Sequence, residues 1–464
     1  MATSIDEILS GKYPAKAHAL RVSDCLRQQH PSLTNGYIYL ESIKSSHYED
    51  SDQEVSPLRQ RRAFFYLSGC NLADSSLLYS IAEKKLTLYI PSIDPEDVLW
   101  SGLPMSVEQA CEKFDVDEVR TADQIDSDLR SIEAAATPAQ PIFILEGRVS
   151  RVFQQQVEGS LITGTLKTAI DECRALKDAY EVALIKRANA ITAEAHHAVM
   201  ARVRASSNER ELNATFLERC VSLGAPTQAY TGIFAAGRAA ATLHYVHNDA
   251  TLKGKQLLLL DAGCEVDCYA SDVTRTFPIS GSFSKEAREI YDVVLTMQKE
   301  CLALCKPGKN WDEVHVHAHR VAIKGLKALG VLKGDEEELL SSRVSCAFLP
   351  HGLGHYLGMD THDTGGHPNY QDEDKMFRYL RKRGPLPVGA VITVEPGIYF
   401  CEFIIRPYLQ DSKFSKFIDE ATLEKYWDVG GVRIEDNILI TPGGYENLTT
   451  AAKEVGDMLA IINA

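Results

Sequence analysis

The sequence predicts an α+β protein in two parts: a smaller α/β domain over residues 1–165 and a helix-first, sheet-rich domain over residues 166–464. Two observations support this prediction. The chain has 464 residues, which is more than one ordinary domain holds. Strand-like and helical segments alternate before residue 165, whereas after it long helical patterns precede short strands and glycine-rich turns.

In the first part, apolar segments predict strands and amphipathic segments predict helices. The predicted strands are AFFYLSG, LTLYIPS and PIFILEG, and the predicted helices are KAHALRVSDCLRQQH and SVEQACEKF. The stretch HYEDSDQEVSPLRQRR (47–62) is polar and charged, so we expect a surface loop there. This mixture is typical of an α/β layer domain.

The second part opens with a long helical pattern. Apolar residues recur at three- and four-residue spacing through DECRALKDAYEVALIKRANAITAEAHHAVMARV (171–203), which predicts a long helix. The segment NERELNATFLERCVSLG predicts the next helix, which should end at Gly224. Beyond it, short apolar strands and glycine-rich turns carry the polar residues of interest.

Composition and charge exclude several classes of partner. The formal charge of −15 argues against nucleic acid and anionic membranes as partners. No segment approaches the roughly 18 to 20 apolar residues of a membrane span, and MATSIDEILSGKYPAK does not resemble a signal peptide. The 11 cysteines are scattered without finger-like spacing, so we expect reduced thiols and a cytoplasmic protein.

Two aspartates occupy the predicted hairpin QLLLLDAGCEVDCYASDVTRTF. Asp261 ends a five-residue apolar run, and Asp272 begins a segment that alternates as a strand does. With the turn centred on Val266 and Asp267, we expect Asp261 and Asp272 directly opposite each other, with Cβ atoms about 5 Å apart. Facing carboxylates repel, so a shared proton or a cation must compensate. Asp267 is expected to be an ordinary loop acid.

Histidines and two further acids follow in the C-terminal third. HGLGHYLGMDTHDTGGH places His351, His355 and His362 among glycines, which argue against a helix and let side chains converge from a loop. Glu395 interrupts the apolar strand VITVEPGIYF, and Glu435 lies within GGVRIEDNILI. A carboxylate inside such a strand is rare unless it is paired or metal-bound.

These residues predict a two-metal site. The four carboxylates of Asp261, Asp272, Glu395 and Glu435 carry four negative charges, which two divalent ions balance while His355 stays neutral. Oxygen donors with one nitrogen suit Mn²⁺, with Co²⁺, Zn²⁺ or Fe²⁺ as alternatives. A salt bridge from Arg433 is a competing explanation for Glu435, but one arginine cannot neutralise four acids.

In order, the motifs DAG, SDVTRTF, HGLGH, VEPGIY and GGVRIED resemble those of the pita-bread metallopeptidases, over residues about 170 to 450. Within that family the chain is most similar to the Xaa-Pro aminopeptidase and prolidase branch, in its eukaryotic, fungal type. The resemblance implies a pita-bread (creatinase/aminopeptidase-like) catalytic domain, preceded by a domain similar to the aminopeptidase P N-terminal domain.

The resemblance also assigns roles to residues. The metal ligands that it implies are Asp261, Asp272, His355, Glu395 and Glu435. Asp272 and Glu435 would bridge two Mn²⁺ ions per subunit, Asp261 would complete one site, and His355 and Glu395 would complete the other.

Outside the ligand set, the resemblance implies that His244 faces the substrate and that His351 and His362 assist proton transfer, with Glu395 as proton acceptor. Arg381 and Arg433 match substrate-binding arginines of prolidases. Tyr230 is a candidate pocket residue.

The implied activity is removal of the N-terminal residue from peptides with proline in the second position, by a homodimer. A prolidase that cleaves only Xaa-Pro dipeptides is the main alternative. A non-catalytic binding module would have lost metal ligands, and a metal-free creatinase-like hydrolase would not need four carboxylates. Methionine aminopeptidase is disfavoured by the additional N-terminal domain.

Overall fold

A computed structural model describes residues 4–135, 140–150 and 161–464. The chain forms two compact units, Met1–Arg174 and Ala175–Ala464. The division falls after the position 165 predicted from the sequence, because helix α7 (Thr165–Ala175) packs with the first unit. In that helix Leu166, Ala169 and Ile170 are buried.

The described part of the first unit contains seven helices and six strands. The helices are α1 (Ile5–Leu9), α2 (Ala15–Gln29), α3 (Arg62–Ser68), α4 (Pro95–Ser101), α5 (Val107–Lys113), α6 (Ile125–Ala135) and α7. The strands are β1 (Tyr37–Glu41), β2 (Ser76–Ser80), β3 (Lys85–Ile90), β4 (Glu118–Thr121), β5 (Ile142–Phe143) and β6 (Leu161–Ile162). They form one mixed sheet in the order β4-β3-β2-β1-β5-β6, which confirms the predicted α/β layer.

One predicted strand of this unit is wrong. AFFYLSG forms helix α3, which ends at Gly69 in the left-handed conformation. Phe64, Phe65, Tyr66 and Leu67 are all buried, so the helix shows no polar face. A short apolar run of this kind has the same appearance in a buried strand and a buried helix.

The second unit contains nine helices and eleven strands in its described residues. The helices are α8 (Ala179–Arg202), α9 (Glu209–Ser222), α10 (Lys285–Leu304), α11 (Trp311–Ala328), α12 (Glu336–Ser342), α13 (Glu402–Gln410), α14 (Ser412–Ser415), α15 (Glu420–Leu423) and α16 (Val455–Asn463). The strands are β7 (Thr227–Gln228), β8 (Ile233–Ala236), β9 (Leu257–Asp261), β10 (Cys264–Val266), β11 (Tyr269–Ala270), β12 (Thr274–Pro278), β13 (Val391–Val394), β14 (Gly397–Tyr399), β15 (Gly431–Arg433), β16 (Asp436–Thr441) and β17 (Gly444–Asn447).

The strands of the second unit form small antiparallel sheets. Their orders are β11-β10-β7, β12-β9-β8, β13-β16-β17 and β14-β15. The helices pack on them around one large apolar core that includes Trp311, Phe234 and Leu258. This combination of helices with small antiparallel sheets agrees with the predicted α+β class.

The long helix predicted over 171–203 is divided in two. Helix α7 ends at Ala175 and α8 begins at Ala179, with Asp178 as the N-cap between them. The Asp178 side chain accepts hydrogen bonds from the backbone N–H groups of Tyr180 and Glu181, and the Glu181 carboxylate accepts one from the backbone N–H of Asp178. This capping box starts a new helix inside an uninterrupted apolar pattern.

The hairpin that carries the two aspartates has a different register from the one predicted. Asp267 and Cys268 have φ angles of +44° and +65°, so they form the two-residue turn between β10 and β11. Asp261 therefore pairs with Thr274, and Asp272 lies two residues earlier, before β12 begins. The two aspartates are diagonal neighbours on one face, and the direct opposition expected from the sequence is wrong.

Candidate metal centre

The five predicted ligand residues come from strand ends and one loop. Asp261 ends β9, Asp272 precedes β12, Glu395 separates β13 from β14, and Glu435 separates β15 from β16. His355 lies in the glycine-rich loop, where its carbonyl accepts a hydrogen bond from the backbone N–H of Thr393 in β13. At each of these positions a ladder breaks or ends, which frees the side chain to point into a common pocket.

Tyr230 connects the two aspartates. Its hydroxyl lies 2.6 Å from Oδ1 of Asp261 and 2.7 Å from Oδ1 of Asp272. A hydroxyl donates one proton at a time, so the second of these short contacts needs another proton or a cation nearby. The structure places Tyr230, a weakly supported candidate in the sequence, between two predicted ligands.

Arg433 is buried, and its guanidinium N–H groups donate to neighbouring side chains. Its guanidinium donates to Oδ2 of Asp261 at 2.6 Å, to the hydroxyl of Tyr399 at 2.9 Å and to Oγ1 of Thr274 at 3.0 Å. The sequence suggested Glu435 as its alternative partner, but the ion pair forms with Asp261. A planar guanidinium fixes the direction of the Asp261 carboxylate.

Two hydroxyls contact the carboxylates of Glu435 and Glu395, and a side-chain amide holds the backbone of Asp272. Thr274 donates to Oε2 of Glu435 at 2.7 Å, and Thr393 lies 3.4 Å from Oε1 of Glu395. The side chain of Asn437 bonds both the N–H and the carbonyl of Asp272, at 3.0 and 2.6 Å. Sequence reasoning missed Thr274, Thr393 and Asn437. The period-two alternation offered a signal, because each threonine lies two residues from an acid on the same face.

His355 lies among the acids. Its Nε2 is 3.4 Å from Oδ2 of Asp272 and 3.5 Å from Oε1 of Glu395. Its Nδ1 donates to the carbonyl of Tyr356 at 2.9 Å, which leaves Nε2 as the atom available to an ion. Ligand atoms of Asp272, His355 and Glu435, all three buried, lie within 4.8 Å of one another.

The glycines bring the histidine loop close to a strand. A Cβ atom on Gly354 would lie 2.0 Å from the carbonyl oxygen of Thr393, and one on Gly352 would lie 2.7 Å from the carbonyl oxygen of Tyr379. Only glycine fits such approaches. Because these positions lack side chains, the loop can bring His355 close to β13. No helix forms in this segment, as predicted.

The predicted catalytic histidines surround this cluster. His351 Nε2 lies 2.9 Å from the Tyr399 hydroxyl, and its Nδ1 is 4.0 Å from Oε2 of Glu395. The His362 ring meets the His355 ring edge to face at 4.4 Å. His244 is exposed on the loop after β8 and lies close enough to interact electrostatically with His351 and His362.

The buried cluster contains more acidic than basic side chains, and the pKa values of its acids are shifted. Burial, followed by the charges of neighbouring acids, holds the pKa of Glu435 well above its usual range. Burial also raises the pKa of Glu395 to about 7 and raises that of Asp261, although Arg433 opposes both shifts. Burial favours a higher pKa for Asp272 too, but the hydrogen bond from His355 lowers it overall.

These properties fit a pair of divalent cations. Four carboxylates and the guanidinium of Arg433 carry a formal charge of −3, which two divalent ions convert to +1. A buried cluster of this composition is unstable unless cations or protons enter it. Oxygen donors with a single imidazole are the ligand set of hard and borderline divalent metals.

The family of the chain follows from residues 183–442, which match the model of metallopeptidase family M24. The chain belongs to metallopeptidase family M24. Residues 18–140 match the aminopeptidase P N-terminal domain, as the resemblance implied. The chain is therefore a metal-dependent peptidase with the two-domain organisation of aminopeptidase P.

Similar proteins cover the whole chain. A probable Xaa-Pro aminopeptidase of Tuber melanosporum is 61% identical, with 99% of both chains covered, and one of Pyricularia oryzae is 58% identical over 99% of this chain and 98% of its own. Pseudomonas aeruginosa aminopeptidase PepP has a TM-score of 0.80 at 31% identity, covering 97% of this chain and 98% of its own. Zn-substituted Escherichia coli aminopeptidase P in complex with product has a TM-score of 0.81 at 28% identity, with 98% and 99% covered.

Among the described residues, none of the helices is both long and apolar enough to cross a membrane.

Arg381 is half-buried, and its carbonyl oxygen would lie 2.2 Å from a Cβ atom on Gly366, so its backbone runs close to the histidine loop. Its positive charge is among the influences that lower the pKa of His362.

Proposed function

We propose that this chain is a Xaa-Pro aminopeptidase, which removes the N-terminal residue from peptides that carry proline in the second position. The observation that carries the proposal is the convergence of Asp261, Asp272, His355, Glu395 and Glu435 in one buried cluster of a family M24 chain. The names of the relatives at 61% and 58% identity support the same activity.

The proposed metal is a pair of Mn²⁺ ions, with Co²⁺ or Zn²⁺ as alternatives. Asp261, Asp272, His355, Glu395 and Glu435 would hold the two ions, and ligand atoms of Asp272, His355 and Glu435 lie within 4.8 Å of one another. Bound divalent ions supply Lewis acidity, which lowers the pKa of water and polarises a carbonyl group. The hydrogen bonds from Arg433 and Thr274 orient the carboxylates of Asp261 and Glu435, and Asn437 holds the backbone of Asp272.

Different side chains around the cluster act in different steps of hydrolysis. Glu395 accepts a proton from the attacking water at a carboxylate oxygen, and the water oxygen adds to the carbonyl carbon before proline. His244 donates a hydrogen bond to the developing oxyanion. His351 does not take this role, because its Nδ1 donates to the carbonyl of Gly352 and its Nε2 bonds the Tyr399 hydroxyl. The C–N bond then breaks, and the proton passes by way of His362 to the proline nitrogen, which leaves as a secondary amine.

The arginines take different roles in this proposal. Arg381 is assigned to peptide contact, since the residue is half-buried and its charge acts on His362. Arg433 was a substrate-binding candidate in the sequence, but its side chain is occupied by Asp261, Tyr399 and Thr274. We therefore assign Arg433 to holding Asp261 in place and leave substrate contact to Arg381.

We also propose a homodimer in the cytoplasm. Leu99, Trp100 and Leu103 of the first unit are 80%, 82% and 75% exposed, an apolar surface that a second copy would cover. The eleven cysteines are scattered without the spacing of a secreted disulfide framework, which suits a reducing compartment. Sedimentation of the purified chain tests the dimer, and a monomer at micromolar concentration would contradict it.

One experiment tests the activity and its main alternative. The metal is removed with a chelator, Mn²⁺ is added back, and the release of the first residue is measured from an Ala-Pro-Ala tripeptide and a Gly-Pro dipeptide. The aminopeptidase predicts metal-dependent cleavage of the tripeptide. Cleavage of the dipeptide alone would identify a prolidase, and activity that persists after complete metal removal would contradict the two-metal site. The Glu435→Gln variant serves as the inactive control against contaminating peptidases.

A further inference from the structure

A buried glutamate on α9 binds the loop that carries His244. Glu209 is 0% exposed and is the first residue of that helix. Its Oε1 accepts from the backbone N–H of Ala236 at 2.9 Å. Its Oε2 accepts from the N–H of Ala250 at 2.9 Å and from the Tyr245 hydroxyl at 2.8 Å. One carboxylate thus holds the start, the middle and the end of the segment 236–250.

The residues on either side of His244 are anchored. Leu243 and Tyr245 pack against a small apolar cluster that includes Ile233, Leu259 and Tyr399. Leu243 and His244 lie in a turn, and His244 is exposed whereas its two neighbours pack on the cluster, so the His244 side chain points away from that cluster. His244 is exposed and lies within electrostatic range of His351 and His362.

A second side chain closes the same loop. Asn248, with a φ angle of +50°, accepts from the N–H of Phe234 at 2.8 Å and donates to the carbonyl of Gly232 at 2.7 Å. The backbone ends of the segment are therefore fixed by Asn248 and by the Ala236 and Ala250 contacts of Glu209. The hydroxyl of Tyr245 is the contact that reaches the immediate neighbour of His244.

Burial of the Glu209 carboxylate costs free energy, which indicates that the carboxylate has a specific role in this loop. A buried carboxylate needs compensating donors. The three donors to Glu209, two backbone N–H groups and the Tyr245 hydroxyl, are neutral, and the N-terminus of the fourteen-residue helix α9 adds a favourable dipole. Apolar packing alone could cover the loop, but it would not fix the direction of Tyr245 as a hydrogen bond to a charged group does.

We propose that Glu209 is a positioning residue that holds His244 against the substrate through the hydroxyl of Tyr245. The inference rests on the proposed role of His244 in peptide hydrolysis. Neither Glu209 nor Tyr245 touches the metal ligands in this arrangement. Their effect on the reaction passes through the placement of the neighbouring histidine.

The Tyr245→Phe variant tests this, because it removes one hydroxyl and keeps the packing of the ring. We expect kcat on the tripeptide to fall about 10- to 100-fold, the loss typical of a misplaced catalytic group, while KM changes less than about threefold and metal content is unchanged. In a His244→Ala background, the same change should alter kcat less than about twofold, since both substitutions act through one side chain. Glu209→Gln should reproduce the loss.

The matched control is Tyr89→Phe in the first unit, where the tyrosine hydroxyl donates to Oδ2 of Asp128 at 2.7 Å. It removes the same kind of tyrosine–carboxylate bond, so both variants should lower the melting temperature by about 2 to 4 °C. Only Tyr245→Phe should lower kcat. Amide hydrogen exchange should quicken over residues 242–250 in Tyr245→Phe and Glu209→Gln.

Several results would overturn the inference. These are an unchanged kcat in Tyr245→Phe, equal losses in the presence and absence of His244, or a loss of bound metal that accounts for the activity. If the wild-type chain did not cleave the tripeptide, the proposed function would fail instead. The exchange measurement needs no activity, so unchanged exchange over 242–250 would then sink the positioning role independently.

Discussion

Replacing Arg275 with methionine should destabilise the second unit strongly. Arg275 is fully buried, and its guanidinium donates to Oδ1 of Asp436 at 2.7 Å in an ion pair with 0% exposure on both sides. The same group donates to the carbonyls of Ala451 at 2.8 Å and of Glu435 at 2.6 Å. Methionine has a similar length and no donor, so it removes the charge with little change in volume.

The magnitude follows from what the substitution leaves behind. Removal of one partner of a buried pair costs about 3 to 5 kcal/mol, because the other charge stays buried. Asp436 keeps Lys453 and Asn447 as partners, which places the cost near the lower limit. The loss of donors to buried carbonyls adds to it. We expect the free energy of unfolding to fall by about 3 kcal/mol and the melting temperature by about 6 to 12 °C.

Thermal and urea unfolding of the purified variant measure this change. Arg406→Met is the matched control, since Arg406 pairs with Glu402 on an exposed helix face, at 55% and 34% exposure. Its loss should leave the melting temperature almost unchanged, because water screens an exposed pair. If the two variants shifted the melting temperature equally, the buried pair would contribute no more than a surface pair, and the reasoning would be refuted.

Three further predictions concern the site, its loop and the core. Glu435→Gln should lower kcat/KM by more than about 100-fold, because loss of a residue that only supports a metal ligand already costs about 10- to 100-fold. Circular dichroism should show an intact fold, and a variant with full activity would contradict the role of Glu435. Gly354→Ala should destabilise the chain by about 2 kcal/mol or more in urea unfolding, because its Cβ would lie 2.0 Å from the carbonyl oxygen of Thr393; wild-type stability would show that the loop can move away. Burial lowers the pKa of His315 from 6.5 to about 4, so the unfolded chain binds the proton first, and stability that is complete above pH 6.5 falls by about 3 kcal/mol as the pH drops to 4. Unfolding free energies of wild type and His315→Phe between these pH values should converge at acid pH, and parallel curves would argue against this assignment.

The sequence predicted the fold class and the family, and it singled out five residues that the structure brings together, because each has a local signature. An acid at the end of an apolar strand stands out, and so does a histidine among glycines. The exact pairing had no such signature. A two-residue turn at Asp267 and Cys268 shifted the hairpin by two residues and placed Asp261 opposite Thr274. Asp267 and Cys268 are not a strong turn signal, so nothing local distinguished the two registers.

Other misses also have a physical origin in tertiary contacts. AFFYLSG became helix α3 because the unit buries it on every side, which removes the periodicity that separates helix from strand. The pairing of Arg433 with Asp261 joins residues 172 positions apart. Such a contact depends on how the strands are arranged, and no spacing within one segment encodes it. For the same reason Tyr230 was only a weak candidate.

The spread of the metal centre along the chain has a consequence for how the protein becomes active. The hydrogen bond from Thr274 to Glu435 spans 161 residues, and the ion pair between Arg433 and Asp261 spans 172. Closing loops of this length costs entropy that only the assembled core repays. During synthesis Asp261 and Asp272 emerge well before Glu435, so a nascent chain holds an unbalanced acidic pair. The five predicted ligands can therefore meet only after β15 and β16, which flank Glu435, have joined their sheets.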